Sequence, residues 1–366
     1  MKLLETSWRC FRNLKPRRQQ WCPGLNVFLG PNGSGKTNIL ESVNVLSGWG
    51  AFPVPSNRVS SMISWDCGEE RAFLSGHAGG ERELEVTAQI GARLSLRAAN
   101  ERVTYSELRA LLPSLSFLPS DVELLDGSPS IRRFFLDKLC ALSSPLYARR
   151  LAEYRQLARQ RGALLRRSGD SAALRASTHP MARLGGWIRF VRERTVDLLS
   201  KKLSIESDSL ESGLLPFKIS VAIELRGGNA EAGFELEDYV ENLRSAMESG
   251  LERERHAGIV LIGPHRDDLA FSCLGRPAAL ALSRGQKRRV VMAAILAAGH
   301  LIEAKLRVKP MLILDDVAAE LDSTGRSLMG QALAATGWQI FAAGVENPFQ
   351  TTESTIWHVR DGKILE

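Results

Sequence analysis

A glycine-rich run near the amino terminus has the residue types and spacing of a loop that binds phosphate. It fits the pattern G-x-x-x-x-G-K-[ST] and consists of Gly30, Pro31, Asn32, Gly33, Ser34, Gly35, Lys36 and Thr37. The glycines let backbone N–H groups turn inward around phosphate oxygens. Lys36 would reach the β- and γ-phosphates as a catalytic cation, and the Thr37 hydroxyl would hold Mg²⁺. We therefore expect this loop, extended by Asn38, to bind ATP with Mg²⁺.

The segments on either side of the loop predict the elements that must hold it. The apolar run 25–29 predicts a buried strand that leads into the loop, and residues 38–46 predict a helix that leaves it. The positive N-terminal end of such a helix favours a bound phosphate. A chance glycine-rich turn is the alternative, but it does not require the strand and the helix that the sequence supplies.

Two acidic residues far along the chain complete the chemistry expected of a nucleotide site. The apolar run 312–314 predicts a buried strand, and Asp315 and Asp316 follow it directly. A carboxylate at such a strand end ligates Mg²⁺ directly or through water, so we assign Asp315 to the metal. The neighbouring Asp316 is expected to orient and deprotonate the attacking water. For this pair taken alone, two solvated acids that end a strand are the alternative.

Two further segments follow the order found in ATP-binding-cassette ATPases. Residues 282–286 open a predicted helix and resemble the Leu-Ser-Gly-Gly-Gln signature, and residues 317–322 follow the acids where that class has its D-loop. We assign Ser283, Gly285 and Gln286 to the nucleotide, because a serine hydroxyl and glycine N–H groups at a helix start form an anion site. In this class the signature of one subunit completes the γ-phosphate site of another. We therefore predict an ATP-dependent homodimer in which Ser283 and Gly285 act in trans, with an ordinary serine-capped helix as the alternative.

The composition is that of a globular protein with a basic balance. The chain has 366 residues, of which 44% are apolar, and a net charge of +7. A basic balance favours a polyanionic partner, nucleic acid first. No apolar run approaches the roughly 20 residues of a membrane span, and the first residues do not resemble a signal peptide. Five scattered cysteines are typical of free thiols, so we expect a cytoplasmic protein without a membrane partner.

The order of predicted elements indicates one α/β domain that a helical block interrupts. Strand patterns dominate 71–103, and an apolar β-type run occupies 258–262. Helices are predicted between them, over 131–142, 145–167, 181–203 and 236–255. We therefore place the α/β domain at 1–117 and 256–366, and the helical insertion at 118–255.

The stretch Gly263–Leu269 is the other conspicuous feature and reads Gly-Pro-His-Arg-Asp-Asp-Leu. It has too few ligands for a metal site by spacing alone. Its chemistry favours a core histidine at His265 and local pairing of Arg266 with Asp267 or Asp268.

Motifs spread along the whole chain resemble those of the bacterial RecF family of recombination mediators. They occur in that family's order and comprise Phe11–Asn13, the phosphate loop with Thr37–Glu41, Phe117–Asp121, Gly127–Asp137, Gly263–Leu269, Ser283–Gln286 and Asp315–Asp322. The motifs at 127–137 and 263–269 are much more specific than a phosphate-binding loop.

This resemblance implies an α/β fold: an ABC-type P-loop ATPase head with a mixed sheet, interrupted by an inserted, mainly helical lid. It implies ATP-driven homodimerisation, slow Mg-dependent and DNA-stimulated hydrolysis, and binding to double-stranded DNA near gaps. It also implies partnership with RecR, and through it RecO, in loading recombinase onto gapped DNA. The arginines of 145–167 then form either a solvated face or a surface that contacts DNA phosphates.

The sequence departs from the family pattern at several positions. Gly50–Pro53 replaces a Ser-Phe-Arg element, and Gln160–Gly162 replaces Gln-Arg-Asn. Arg284 stands where the signature has a small or polar residue, and 341–348 contains no switch histidine to assist Asp316. The missing histidine fits slow turnover. A divergent member with other partners is one alternative.

Two alternatives come from other functional classes. The nucleotide-binding subunit of a membrane transporter would be shorter and normally carries the switch histidine, so the insertion and the basic charge count against it. The second alternative is a P-loop kinase with a small-molecule acceptor. In that case the matches to the signature and to the D-loop would be coincidental.

Overall fold

The chain divides into two units. We call Met1–Val122, Ser207–Pro216 and Ser283–Glu366 the first unit, and Glu123–Glu206 and Phe217–Leu282 the second unit. The computed structural model describes residues 1–52, 59–80, 82–166, 171–209, 219–224, 235–317, 319, 321–347, 349 and 353–365. The second unit retains 256–282, which the sequence pattern placed in the α/β domain, because a strand at Asp268–Cys273 pairs with one at Ile219–Glu224.

The strands and helices are numbered along the chain. The strands are β1 (Lys2–Arg9), β2 (Arg17–Gln20), β3 (Leu25–Leu29), β4 (Ala72–Gly79), β5 (Leu84–Ile90), β6 (Leu94–Ala98), β7 (Glu101–Val103), β8 (Ser114–Phe117), β9 (Ile219–Glu224), β10 (Asp268–Cys273), β11 (Arg276–Pro277), β12 (Met311–Asp315), β13 (Ile340–Gly344), β14 (Ser354–Arg360) and β15 (Lys363–Leu365). The helices are α1 (Lys36–Leu46), α2 (Tyr105–Leu111), α3 (Glu123–Asp126), α4 (Pro129–Ser143), α5 (Pro145–Arg166), α6 (Ser171–Ser209), α7 (Leu236–Ser249), α8 (Leu251–Ala257), α9 (Ala278–Ala281), α10 (Arg284–Leu306) and α11 (Ser323–Thr336). Among the described helices, none has both the length and the apolar character needed to cross a bilayer.

A mixed sheet of the first unit carries the strands that flank the predicted site. Its order is β15-β14-β3-β13-β12-β8, and the strands from β14 to β8 run parallel. Parallel strands that are covered on both faces read as continuous apolar runs. β12 and β13 have this character, since Leu312–Leu314 and Ile340–Ala343 are buried.

A second sheet of the first unit is antiparallel and has the order β2-β1-β4-β5-β6-β7. Along β5, fully buried residues alternate with less buried ones, as expected for a sheet with one face against the core. The apolar face contributes Val86 and Ile90 to one cluster with Ile39 and Val43 of α1 and with Phe341 of β13. This core holds α1, and therefore the start of that helix, in place.

The second unit combines α3 to α9 with a small sheet of order β11-β10-β9. Its buried side chains include Leu139 of α4, Met181 and Ile188 of α6, and Leu243 and Met247 of α7. The predicted helices at 131–142 and 145–167 are confirmed as α4 and α5. α6 begins earlier than predicted, at Ser171, and the fourth predicted helix is divided at Gly250 into α7 and α8.

The predicted strand at 258–262 is wrong. These residues have no strand assignment. The backbone N–H groups of Leu261 and Ile262 donate to the Glu254 carboxylate at 2.9 and 3.3 Å. A buried side chain thus satisfies the donors that a strand partner would otherwise have taken.

Candidate nucleotide-binding site

The register of the parallel sheet brings the phosphate loop and the two acids to one edge. Asp315 on β12 lies opposite Ala343 on β13, and Ala343 lies opposite Phe28 on β3. Asp315 ends β12, and Gly30 follows the last residue of β3. Both motifs therefore leave the sheet at the same edge.

Two glycines of the loop occupy positions that a larger residue would not fit. A Cβ added to Gly30 would lie 2.2 Å from the backbone oxygen of Val359. Gly35 has a φ of 111°, and its Cβ would lie 2.9 Å from Asn13 Oδ1. Gly35 is also the N-cap of α1 and supplies no side-chain cap. The first N–H groups of α1 thus need another acceptor, which a phosphate would provide.

Ser34 and Lys36 are the buried polar side chains of the loop. Ser34 Oγ is buried and has no hydrogen-bond partner among the described residues, an arrangement that a phosphate oxygen would complete. Lys36 Nζ donates to the backbone oxygens of Gly30 at 2.7 Å and Pro31 at 2.9 Å. Burial lowers the pKa of Lys36, while Asp315 and Asp316 act in the opposite direction. An anionic ligand would compensate this desolvated ammonium.

Thr37 and Asp315 meet as the sequence assignment to Mg²⁺ requires. Thr37 Oγ1 donates to Asp315 Oδ2 at 2.9 Å. Burial raises the pKa of Asp315, and the nearby Asp316 also raises it, against the Thr37 hydrogen bond and Lys36. Within the described residues, no group of three or more His, Cys, Asp or Glu could hold a metal. The two oxygens would suit Mg²⁺, because a hard cation prefers oxygen ligands.

Asp316 has a fixed backbone and an exposed side chain. Its N–H donates to the Ala343 oxygen at 3.0 Å, and its own oxygen accepts from Arg288 at 3.0 Å. The residue has a φ of 48°, and its side chain is exposed. The sequence analysis did not identify Arg288 as a site residue. Its position in the helix that begins after Ser283 was the one feature that could have indicated it.

These elements surround a cavity of about 300 Å³. Its lining consists of Asn32, Gly33, Gly35, Lys36, Thr37, Asn38, Pro119, Asp315, Asp316, Gly344 and Val345. A volume of this size is at the lower end for ligand pockets. Gly344 ends β13 and Val345 follows it, within the segment 341–348 that contains no switch histidine. Pro119 belongs to the segment 117–121 that was noted only for its family resemblance.

Asn13 is a further site residue that residue-type reasoning missed. Its Nδ2 donates to the Gly33 oxygen at 3.2 Å, and its Oδ1 accepts from Asn38 Nδ2 at 2.7 Å. The neighbouring Arg12 forms a bidentate pair with the buried Glu41 at 2.7 and 2.9 Å. The motifs at 11–13 and 37–41 therefore form one structure that braces the loop.

The signature residues form a capping box at the start of α10. Ser283 Oγ accepts from the Gln286 N–H at 3.4 Å, and Gln286 Oε1 accepts from the Ser283 N–H at 2.9 Å. Ser283 and Arg284 are exposed. As far as the structure describes the chain, Ser283, Gly285 and Gln286 are not among the residues that line the cavity. Their role toward a nucleotide stays a prediction.

In the second unit, the acids of the motif 263–269 pair with an arginine of α6 and with an arginine of the motif 127–137. Asp267 binds Arg189 at 2.6 and 3.0 Å, and Asp268 binds Arg132 at 2.7 and 2.9 Å. The expected local pairing of Arg266 with these acids is wrong, because its guanidinium donates to the Val260 oxygen at 3.1 and 3.3 Å.

His265 is half-buried and not a fully buried core residue, and its ring is hydrogen-bonded within the second unit. Its Nδ1 lies 2.7 Å from the Tyr154 hydroxyl. Burial lowers the pKa of His265.

The arginines of α5 differ in burial and in their ion-pair partners. Arg161 is fully buried and pairs with Glu254 at 2.9 Å. It therefore lies neither on a solvated face nor on a surface that could contact DNA. Arg149 pairs with Glu153 at 3.0 Å, and Arg155 with Asp137 at 3.1 Å. Arg159 is exposed. The choice between a solvated face and a DNA surface therefore concerns only the exposed arginines.

Comparisons with known proteins agree on one family. A sequence model of the family described as RecF/RecN/SMC N terminal domain matches residues 3–363. The chain is 31% identical over 352 residues to the DNA replication and repair protein RecF of Moorella thermoacetica, which covers 93% of this chain and 87% of the relative. It is 30% identical over 370 residues to the protein of the same name from Heliobacterium modesticaldum, which covers 97% of this chain and 96% of the relative.

Solved structures agree on the fold. The recombination mediator protein RecF-ATPrS in the RecFOR pathway has a TM-score of 0.87 at 23% identity, over 99% of this chain and 97% of that chain. An SmcHead bound to the C-winged helix domain of ScpA has a TM-score of 0.57 at 16% identity, over 100% of this chain and 97% of that chain. These likenesses confirm the predicted fold class, and the sequence comparisons confirm the predicted resemblance.

Proposed function

We propose a function from the premise that this chain belongs to the RecF/RecN/SMC N-terminal domain family and, within it, to the RecF proteins. The chain binds ATP with Mg²⁺ and hydrolyses it slowly to ADP and phosphate. ATP binding brings two copies together on DNA, and hydrolysis releases them. The protein works in DNA replication and in recombinational gap repair.

The hydrogen bond between Thr37 and Asp315 is the observation that carries this proposal. It joins the phosphate loop to the acid that follows β12, across a sequence separation of 278 residues. A hydroxyl and a carboxylate at this distance would hold Mg²⁺ as two hard oxygen ligands, and the cation would supply positive charge beside the bound phosphates. Lys36 neutralises the same phosphates. Asp316, adjacent and exposed, acts on the attacking water.

A second copy supplies Ser283 and Gly285 to the γ-phosphate. The exposure of Ser283 and its position at the start of a long helix support this assignment. Isologous pairing with C₂ symmetry would place two nucleotides between two identical surfaces. Gly344 and Val345 line the cavity in place of a histidine, which supports a slow hydrolytic step.

The partners follow from the family and the charge. The net charge of +7 supports binding to double-stranded DNA at gaps through phosphate contacts. RecR is the proposed protein partner, with RecO reached through it, for loading recombinase. All five cysteines are described, and none forms a disulfide, which supports activity in the reducing cytoplasm.

Sedimentation velocity with and without Mg-ATP, repeated with gapped duplex DNA, tests the proposal. We expect monomers without nucleotide and dimers with it, and DNA binding that weakens steeply with salt. Lys36→Ala should abolish nucleotide binding and therefore pairing. Ser283→Arg should bind ATP as a monomer but form no dimer, because the added side chain occupies the surface that meets the second nucleotide.

Two results would contradict the proposal at different points. Dimerisation of Ser283→Arg with ATP would reject the trans assignment and leave the nucleotide site standing. A wild-type chain that neither binds ATP nor retains gapped duplex would reject the function as a whole. Ser249→Arg, which adds the same charge at the exposed end of α7, is the matched control.

A further inference from the structure

Two cysteines of the first unit lie next to each other in space, although they are far apart in the sequence. Cys10 follows the last residue of β1, and Cys67 lies in a turn before β4. The Ser64 N–H donates to the Cys10 oxygen at 2.7 Å, and the Cys67 thiol donates to the Ser64 oxygen at 3.4 Å. Ser64 therefore holds both residues through its backbone groups. A side-chain hydrogen bond also joins the two thiols directly.

The two thiols differ in their access to solvent. Cys10 is 7% exposed, whereas Cys67 is half-buried and its neighbours Asp66 and Gly68 are exposed. Burial raises the pKa of the Cys10 thiol, and the hydrogen bond to Cys67 also raises it. A small oxidant in solution therefore reaches Cys67 first, with Cys10 behind it as a second thiol. An accessible cysteine beside a resolving cysteine is the arrangement found at sites of reversible oxidation.

The backbone around Cys10 is fixed, whereas the turn that contains Cys67 has room to move. Cys10 and Arg12 have φ values of 56° and 51°, which few residues other than glycine adopt. Phe11 lies between them and forms an antiparallel bridge with Ile63. Gly68, in contrast, has a φ of 65° and open space around its Cα. The turn can therefore make the small approach that a covalent bond between the two sulfurs requires.

Cys10 leads directly into the segment that braces the phosphate loop. The side chain of Asn13 donates to the Gly33 oxygen at 3.2 Å, and Arg12 pairs with Glu41 at 2.7 and 2.9 Å. A covalent bond at Cys10 would attach the turn at 64–67 to this segment, which hydrogen bonds alone connect in the reduced chain.

We propose that Cys10 and Cys67 are a site of reversible oxidation, at which hydrogen peroxide forms an intramolecular disulfide. The inference goes beyond the proposed function and requires neither nucleotide nor DNA. In a reducing compartment such a disulfide is transient and forms only while the oxidant is present.

The reaction has two steps. The Cys67 thiolate attacks one peroxide oxygen, so that an S–O bond forms, the O–O bond breaks, and the released hydroxide takes up a proton to become water. The Cys10 thiol then loses its proton, and its sulfur attacks the Cys67 sulfur. The S–S bond forms, the S–O bond breaks, and hydroxide leaves with that proton as a second water. Two thiols thus lose two electrons and two protons, and one peroxide is reduced to two waters.

Peptide mass spectrometry of the full chain tests the proposal. The reduced chain is treated with hydrogen peroxide, its remaining thiols are alkylated, and it is digested with trypsin. We expect the peptides 10–12 and 59–71 to be joined, with a mass about 2 Da below their sum because two hydrogens are lost. Thiol titration should find two fewer thiols than the five of the reduced chain, and dithiothreitol should restore them. The melting temperature of the oxidised chain should rise, because the cross-link constrains the unfolded first unit.

Three variants locate the reaction. Cys67→Ser should give no joined peptide and should leave Cys10 as a thiol that is alkylated after unfolding. Cys10→Ser should let peroxide carry Cys67 on to the sulfinic acid, because no second thiol intercepts the sulfenic acid. Cys22→Ser, which removes the other half-buried cysteine, is the matched control and should form the cross-link as wild type does.

Three results would overturn the inference and leave the proposed function standing. One is recovery of both Cys10 and Cys67 as alkylated thiols from the peroxide-treated wild type. Another is accumulation of sulfinic acid at Cys67 in the wild type while Cys10 stays a thiol. The third is a disulfide between two copies of the chain in place of one within a copy, seen as a dimer on a non-reducing gel.

Discussion

The two units use the same residue types in opposite ways. In the first unit, Asp316 and Thr37 are exposed at a cavity, and Ser34 Oγ is buried without a hydrogen-bond partner among the described residues. In the second unit, Asp267 and Arg189 are both about 1% exposed and bind each other through two bonds of 2.6 and 3.0 Å. The first arrangement leaves polar capacity for a ligand, and the second uses it within the fold.

The contrast extends to the whole buried network of the second unit. Arg192 donates to Asp137 at 2.8 Å and to the backbone oxygen of Pro264 at 2.6 Å. Asp137 also accepts from Tyr147. Charges that are buried together are stable only as a set, because each desolvated ion depends on its partner. A charged motif by itself therefore indicates neither a ligand site nor a structural pair until its surroundings are known.

Asp316→Asn gives the largest expected effect and acts on function alone. ATP hydrolysis should fall by about 10²- to 10⁴-fold, the usual contribution of a general base. Its unfolding free energy should change by less than about 0.5 kcal/mol, because the side chain is exposed and asparagine tolerates a positive φ. Phosphate release and denaturant unfolding measure the two quantities.

The prediction fails if hydrolysis continues at the wild-type rate, or if activity is lost together with the fold. ATP binding should persist, so the variant should accumulate as the ATP-bound dimer. Asp361→Asn, at a carboxylate outside the residues that line the cavity, is the control and should hydrolyse ATP normally.

Asp267→Asn is the matching change in the second unit and should act on stability. Removing the charge leaves Arg189 buried and uncompensated, at a cost of about 3–5 kcal/mol in unfolding free energy. Asp197→Asn removes a carboxylate whose pair with Lys201 at 2.8 Å is exposed, and it should cost less than about 1 kcal/mol. Denaturant unfolding of both variants, followed by a probe in the second unit, measures the difference. Equal effects would show that burial does not distinguish these pairs.

Asp315→Asn should have the smallest effect, and that effect should depend on pH. Burial raises the pKa of Asp315 in the folded chain, so the folded state binds the proton more tightly than the unfolded state. The wild type therefore loses stability as pH rises from the ordinary carboxyl pKa to the raised one. The variant, which has no charge to bury, should be more stable than wild type above that window.

Unfolding at a series of pH values checks this sign. The stability gain of Asp315→Asn should be present at neutral pH and should disappear in acid, where both states of the wild type are protonated. Asp361→Asn, at a surface carboxylate, is the control variant for the same pH series. A gain that persists in acid would attribute the effect to packing instead of charge.

The local motifs and the periodic segments could be predicted from the sequence because they depend on neighbours in the chain. The phosphate loop required glycine where the backbone has a positive φ at Gly35, and the apolar run 312–314 required burial. The capping pattern at Ser283 predicted the start of α10 for the same reason. These features are specified within about ten residues, so the sequence alone predicted the phosphate loop and the order of most of the main elements.

Only the tertiary structure decided which charges serve a ligand and which serve the fold. Asp267 pairs with Arg189, which is 78 residues away in the sequence, and Arg12 pairs with Glu41, which is 29 residues away. No short-range spacing in the sequence therefore indicated either pair. The segment 258–262 has the apolar pattern of a strand, yet Glu254 satisfies its backbone donors. Burial and hydrogen bonding depend on residues that are distant along the chain and adjacent in space, which is why sequence patterns could not assign them.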